Sequence, residues 1–246
     1  MLKKLLKYDL RANMKIYCFL WPCMVIAAIL QRFLIPESTP DKLYAIVYPL
    51  LQTLMMFSIS GSVILSLVVC VSRFYKGLLK EEGYLMFTLP VHPWQLVLSK
   101  LLVSLLTLII TGILSIFSII CMYGEFDVLK DIWTALMSLD DLVTKSVPIN
   151  LIYLVTLAIL YQALTILQIY LACAIGHLAK KHRVVTSVAV WFGLNYGQRF
   201  ILILWVVFSL LNENITWWLL YGSIAGIVAL FFFLTQLILK KRLNLE

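Results

Sequence analysis

The sequence predicts an all-α membrane protein with six transmembrane helices, because its apolar residues are gathered into six long stretches. The chain of 246 residues is 63% hydrophobic and only 13% charged, and its mean hydropathy is +0.98. A helix needs about 20 apolar residues to cross about 30 Å of hydrocarbon, since each residue adds about 1.5 Å. The predicted spans are residues 16–34, 44–71, 96–122, 147–175, 184–211 and 216–239.

The basic residues orient these predicted spans, because they cluster on alternate connections. If the spans alternate in direction, one side carries Lys3, Lys4, Lys7, Arg11, Lys15, Arg73, Lys76, Lys80, Lys100, Lys180, Lys181, Arg183, Lys240, Lys241 and Arg242. The other side carries Arg32, Lys42, Lys130 and Lys145 together with the acids Glu37, Asp41, Glu125, Asp127, Asp131, Asp140, Asp141 and Glu213. Lysine and arginine concentrate in cytoplasmic loops, so both termini are predicted in the cytoplasm. The net charge of +8 therefore indicates topology rather than nucleic-acid binding.

One membrane domain, residues 1–246, accounts for the whole sequence, and two amphipathic segments are predicted outside its spans. In residues 1–15 an apolar stripe opposes the basic residues and predicts an interfacial helix at the cytoplasmic surface: Leu2, Leu5, Leu6 and Leu10. In residues 123–146 a second stripe predicts a helix resting on the outer surface: Phe126, Leu129, Trp133, Leu136 and Met137.

The connection between spans two and three, residues 73–91, carries the most specific pattern in the chain. Phe74, Leu78 and Leu85 predict an apolar ridge, and it is flanked by the charged residues Lys76, Lys80, Glu81 and Glu82. An apolar ridge with a charged rim is typical of a protein-docking element. An interfacial helix held only by lipid is the alternative, since it has the same amphipathic pattern.

These residues carry a resemblance to a known family. The run RFYKGLLKEEGYLMFTLPV at 73–91, QLVLSK at 95–100 and LKYDLR at 6–11 resemble the permease subunits of type-2 ATP-binding-cassette (ABC) exporters, in particular the short forms of Firmicutes. In that family the connection between spans two and three forms a coupling helix that seats on the ATPase. The resemblance thus implies ATPase contact for Arg73, Phe74, Tyr75, Lys76, Leu79, Glu81, Glu82 and Tyr84.

The resemblance also implies the partners and the location of the chain. The sequence lacks G-x-x-x-x-G-K-[ST], the loop whose backbone amides hold ATP phosphates, so ATP and Mg²⁺ are expected in a separate ATPase subunit. No cofactor, metal site or catalytic residue is expected in this chain. A second permease, identical or related, and the bacterial plasma membrane complete the implied assembly. The expected cargo is amphipathic: an antimicrobial peptide, a drug or a lipid.

Polar residues inside two predicted spans are candidates for the substrate path or the permease interface. Arg199 is a charge deep in span five, where charge is costly, and it shares a helix face with Asn195 and Gln198. Span two contributes Gln52 and Ser58. For span five a structural cluster that bonds neighbouring helices is the alternative, and for span two it is close helix packing.

Two other classes of function remain open at the level of sequence. A membrane scaffold or sensor subunit that does not transport would use the same docking segment. An intramembrane enzyme would need H-E-x-x-H, a serine with a base, or paired intramembrane acids, and the predicted spans contain none of these patterns.

Overall fold

The computed structural model describes residues 2–34, 42–79, 92–123, 134, 147–179, 182–209 and 216–241, and all regular structure among them is helical. The helices are α1 (Leu2–Leu34), α2 (Lys42–Phe74), α3 (Pro93–Tyr123), α4 (Val147–His177), α5 (Arg183–Ser209) and α6 (Thr216–Lys241). A π-helical turn, Tyr75–Leu79, continues α2. The predicted all-α class is therefore confirmed for the described residues.

Within the described part of the chain, five helices are long and apolar enough to cross a membrane, which makes this a multi-pass membrane protein. The five stretches are Leu2–Leu30, Pro49–Leu78, Pro93–Cys121, Ile152–His177 and Leu219–Lys240. The predicted fifth span coincides with α5, which is 27 residues long. Asn195, Gln198 and Arg199 lower the hydropathy of α5, so its crossing of the membrane stays a prediction.

The N-terminal segment differs from its prediction, because residues 1–15 do not form a separate helix. Leu2–Leu34 is one α-helix of 33 residues. No proline or glycine lies between the basic segment and the apolar one, so nothing in the sequence stops the helix there. The predicted amphipathic pattern is present, since Leu5 and Leu6 are half-buried while Lys3 and Lys4 are exposed.

The helices belong to two compact units. The first unit comprises Met1–Leu6, Cys70–Leu105 and Leu151–Glu246, and the second comprises Lys7–Val69 and Leu106–Asn150. In the first unit, the fully buried apolar residues come from the end of α2, the start of α3 and the second half of α4. They include Phe74, Leu78, Leu96, Val97, Leu164, Ile166, Leu167, Tyr170 and Leu171.

The second unit joins its helices through hydroxyl groups. Trp21 Nε1 on α1 donates to Thr111 Oγ1 on α3 at 3.1 Å, and Ser66 Oγ on α2 lies 3.4 Å from the same oxygen. Ser62 Oγ donates to Met24 Sδ at 3.2 Å. Small hydroxyl-bearing residues allow helices in lipid to approach closely and to bond across the interface. This polar seam therefore orders α1, α2 and α3 within the unit.

The turn between α4 and α5 depends on a close approach of the two helices. A Cβ placed on Gly176 would lie 1.9 Å from Ser187 Oγ and 2.7 Å from Ser187 Cα. Thr186 Oγ1 donates to the Gly176 carbonyl oxygen at 3.3 Å. Only glycine fits this crossing, because the backbone of α5 occupies the space that a side chain would need.

Large apolar side chains cover much of the outer surface of the helices. Phe19 is 81% exposed, Phe57 77% and Val184 73%. Exposed apolar surface on this scale is typical of a protein whose solvent is lipid. The predicted outer segment, residues 123–146, lies outside the described residues apart from Tyr123 and Thr134.

Candidate functional site

The candidate docking segment begins as a continuation of α2. Arg73 and Phe74 end α2, and Tyr75 and Lys76 begin the π-helical turn that follows. Arg73 and Tyr75 are half-buried, Phe74 is fully buried, and Lys76 is exposed. The turn Tyr75–Leu79 is π-helical, a wider winding that is rare and is often found at functional sites. The segment thus exposes the side chain of Lys76, while the side chain of Phe74 at its start is buried.

Tyr170 of α4 packs against Phe74 and so fixes the start of the docking segment in the first unit. Its ring stacks on Phe74, with the centroids 4.0 Å apart and an interplanar angle of 10°. Both rings are at most 1% exposed. An aromatic pair of this kind adds about 0.5–1.5 kcal/mol to the burial of its apolar area. The end of α2 is therefore fixed against α4 by direct packing.

The hydroxyl group of Tyr170 also links the start of the docking segment to α3. It lies 2.9 Å from Ser104 Oγ and donates to the Lys100 carbonyl oxygen at 3.3 Å. Cys70 Sγ, one turn before Phe74, donates to the Tyr170 hydroxyl at 3.5 Å. One side chain consequently contacts α2 and α3 while belonging to α4, so Tyr170 is the hub of the site.

Two further contacts hold the π-helical turn itself. A Cβ placed on Gly77 would lie 2.7 Å from Lys100 Nζ, so the ammonium group of this buried lysine rests against the turn. Tyr75 meets His177, the last residue of α4, edge to face with ring centroids 6.1 Å apart. A cation near the end of a helix is stabilised by the partial negative charge there.

The structure describes half of the predicted coupling residues in full. It brings Arg73, Phe74, Tyr75 and Lys76 together at the end of α2, next to the Tyr170 hub. For Leu79 it gives only the backbone, as the last residue of the π-helical turn. Glu81, Glu82 and Tyr84 lie outside the described residues, and with them the rest of the predicted coupling helix.

The polar residues of α5 are divided by the structure rather than gathered on one face. Arg199 Nε donates to Asn195 Oδ1 at 3.0 Å, and Arg199 is exposed. Gln198 is 8% exposed and is buried in the first unit. Consecutive residues of an α-helix point about 100° apart, so burial of Gln198 leaves Arg199 at the exposed side. Gln198 and Arg199 therefore lie in different surroundings, and the role of the three residues in a substrate path or permease interface stays a prediction.

The two candidate polar residues of α2, Gln52 and Ser58, lie in different surroundings. Gln52 lines a shallow groove along the helix together with Thr53, Met56, Phe57 and Ser60. Ser58 is half-buried and is not among the residues of the groove. The Thr53 and Ser60 hydroxyls donate to carbonyl oxygens of their own helix, at 2.8 and 3.1 Å. The groove therefore offers mainly apolar surface.

Sequence reasoning missed the Tyr170 hub and the polar seam of the second unit. The seam had a visible signal, because hydroxyl residues recur at steps of three and four along α3: Thr107, Thr111, Ser115 and Ser118. All four are buried. The hub had none, because a single tyrosine in an apolar helix does not indicate which helices it will contact.

Metal ions and known proteins offer no further assignment. Among the described residues, no group of three or more His, Cys, Asp or Glu side chains is placed to hold a metal ion. Comparisons of the chain with protein-family models, with curated proteins and with solved structures find no match.

Proposed function

We propose that this chain is the permease subunit of a bacterial ATP-driven exporter, and that a separate ABC ATPase supplies the energy. The multi-pass helical architecture supports the proposal, because a permease consists of spans that rearrange around a cargo. The residues at 6–11, 73–91 and 95–100, which resemble type-2 ABC permeases, support it as well. The assembly contains a second permease in the plasma membrane, and both termini face the cytoplasm.

The observation that carries the proposal is the seating of the docking segment. A connector that only links two spans needs no buried side chains at its start. In the connection between α2 and α3, by contrast, Phe74 and Leu78 are fully buried. Lys76, between them in sequence, is exposed and available to a partner. A docking element must be fixed to the helices that it moves, and the Phe74–Tyr170 stack provides that fixation.

The same contacts provide a route for mechanical coupling within the first unit. Closure of the ATPase pair displaces the docking segment, and the displacement reaches α4 through the Phe74–Tyr170 stack. It reaches α3 through the bonds of the Tyr170 hydroxyl to Ser104 and to the Lys100 carbonyl oxygen. Close-packed interiors transmit such displacements as rigid-body shifts of helices rather than absorbing them.

The cargo in this proposal is amphipathic. The outer groove of α2 is lined by Met56 and Phe57 beside Gln52, Thr53 and Ser60, which suits a molecule with both apolar and polar parts. Antimicrobial peptides, drugs and lipids have this character. A scaffold or sensor subunit would dock the ATPase without moving such a molecule, so ATP hydrolysis stimulated by the cargo separates transport from these roles.

Affinity purification from native membranes tests the docking assignment. Tagged full-length chain is extracted in mild detergent, and the co-purifying proteins are identified by mass spectrometry. The wild type is expected to retain a P-loop ATPase that Lys76→Glu loses, because a reversed charge opposes the partner surface. Lys240→Glu is the matched control, since Lys240 is also exposed and lies at the end of α6. Equal retention by both variants would contradict the assignment.

The charge reversal of the acidic pair provides a second test of the same segment. Replacing Glu81 and Glu82 by lysine is expected to abolish stimulation of ATP hydrolysis in the reconstituted complex, while the amount of inserted permease stays unchanged. Unchanged assembly and unchanged stimulation would remove these two residues from the contact.

A further inference from the structure

Arg199 stands far from both ends of the helix that carries it. It follows Arg183, the first residue of α5, by 16 positions and precedes Ser209, the last, by 10. At about 1.5 Å per residue these separations are about 24 Å and about 15 Å. Where α5 crosses the membrane, the backbone of Arg199 therefore lies near the depth of the bilayer centre. An uncompensated charge is most costly at that depth.

Asn195 orients the guanidinium group of Arg199 but supplies no compensating charge. Nε donates to the amide oxygen of Asn195, one helical turn earlier, at 3.0 Å. Because the amide is neutral, the positive charge of the guanidinium is not balanced by it. Among the described residues, this hydrogen bond uses only Nε, so the two amino groups of Arg199 are available to bind a ligand. Such groups bind carboxylate and phosphate oxygens in a bidentate manner.

The sequence supplies no carboxylate for Arg199 within the helices that follow α1. All acidic residues of the chain lie outside α2, α3, α4, α5 and α6: Asp9, Glu37, Asp41, Glu81, Glu82, Glu125, Asp127, Asp131, Asp140, Asp141, Glu213 and Glu246. A second copy of the chain has the same deficiency. An identical permease packed on α5 through its helices α2–α6 would thus bring another arginine and no acid, and the one acid of α1, Asp9, lies close to the start of that helix.

Apolar side chains flank Arg199 on the exposed side of α5. Phe192 is 50% exposed, Tyr196 68% and Ile203 60%. Phe192 and Tyr196 precede Arg199 by seven and three residues, and Ile203 follows it by four. These spacings place the three side chains on the same helix face as Arg199. The face therefore combines one cation, oriented by Asn195, with an apolar surface that runs along the helix.

We propose that this face binds an amphiphile with a single anionic head group, a carboxylate or a phosphate. The head group pairs with Arg199, and the apolar body lies along Phe192, Tyr196 and Ile203. The depth of Arg199 favours a molecule carried into the membrane interior, because phosphates of the surrounding bilayer lie at its surface. The identification of this amphiphile as cargo rests on the proposed export function, whereas its binding does not.

A binding experiment on the purified full-length chain tests this proposal without any ATPase. Laurate is the anionic probe and dodecyl maltoside the neutral one, and dissociation constants are measured for chain reconstituted in zwitterionic lipid nanodiscs. Wild type is expected to bind laurate. Arg199→Gln is expected to weaken this binding about tenfold or more, because it removes a charge-assisted pair. Arg199→Lys keeps the charge without the forked geometry and is expected to fall between them.

The controls separate this site from general attraction of anions to a basic protein. Arg183→Gln removes the same charge from the exposed start of α5 and is expected to leave laurate binding unchanged. Circular dichroism establishes that each variant retains its helices. Equal weakening by Arg183→Gln and Arg199→Gln would overturn the proposal, and so would binding of laurate that Arg199→Gln leaves intact. Phosphatidylglycerol competing more strongly than laurate, in an Arg199-dependent manner, would overturn the cargo assignment in favour of a bilayer-lipid site.

The outcomes also keep this inference apart from the proposed function. Arg199-dependent laurate binding by a chain that retains no P-loop ATPase would support the anion site and contradict the exporter. Retention of the ATPase without Arg199-dependent binding would support the exporter and contradict the anion site.

Discussion

Phe74 and Tyr170 stack with their ring centroids 4.0 Å apart, and this contact joins the end of α2 to α4. The residues are 96 positions apart in sequence: Phe74 lies at the start of the docking segment, and Tyr170 lies in the second half of α4. Beside the contacts of Tyr75 with His177 and of Gly77 with Lys100, this pair is a direct contact between the segment and α4. Its removal should therefore affect both stability and coupling.

Phe74→Ala is expected to destabilise the first unit by about 3–5 kcal/mol, because it opens a cavity beside Tyr170. Tyr170→Phe keeps the stacked ring and removes only the hydroxyl contacts to Cys70, Ser104 and the Lys100 carbonyl oxygen. It is expected to cost about 1 kcal/mol. Thermal unfolding in detergent measures the difference, and equal loss in the two variants would show that stacking does not hold the site.

Gly176→Ala is expected to destabilise the turn between α4 and α5 by about 1–3 kcal/mol, because the new methyl group overlaps the Ser187 backbone. Gly112→Ala is the matched control. Beyond the adjacent residues and backbone of its own helix, no atom lies within 4 Å of the place that its Cβ would occupy, and alanine favours the helix. The yield of monodisperse protein and its unfolding temperature measure both effects. Equal behaviour of the two variants would contradict the close crossing at Gly176.

Thr111→Val is expected to weaken the polar seam of the second unit by about 0.6–2 kcal/mol, a typical range for hydrogen bonds between helices in membranes. The valine keeps the volume but removes the oxygen that accepts from Trp21 Nε1. Thr111→Ser restores a hydroxyl and should recover most of the loss. The near-ultraviolet circular dichroism of the tryptophans follows the packing, and a spectrum unchanged in Thr111→Val would contradict the role of this bond.

The sequence predicts the helices well, because length and hydropathy are properties of single segments. Five apolar stretches fall on helices of membrane-spanning length, and α5 matches the remaining stretch, the predicted fifth span, within a few residues. The prediction of a separate N-terminal helix was wrong, because amphipathicity between Leu2 and Arg11 does not stop a helix whose first proline, Pro22, comes only later in the chain. Continuity is decided by the residues at the junction, which here favour helix throughout.

The site could be predicted only in part, because its contacts join distant segments. Periodicity predicted that Phe74 and Leu78 belong to an apolar docking ridge, whereas both side chains are buried within the first unit. It also placed Gln198 beside Arg199, although packing of the first unit buries Gln198 and leaves Arg199 exposed. Spacing on one helix gives angular neighbours, and only the surrounding helices decide which of them face inward. For the same reason nothing in the sequence marked Tyr170 as the hub.

Photochemical cross-linking from position 76 is the most direct test of the proposed ATPase contact. The photoreactive residue benzoylphenylalanine is placed at Lys76 and, as a control, at Phe57, which is 77% exposed on the apolar surface of α2. Irradiation of native membranes is expected to join position 76, but not position 57, to a P-loop ATPase identified by mass spectrometry. Absence of a P-loop protein among the adducts of position 76, or equal capture from position 57, would contradict the account.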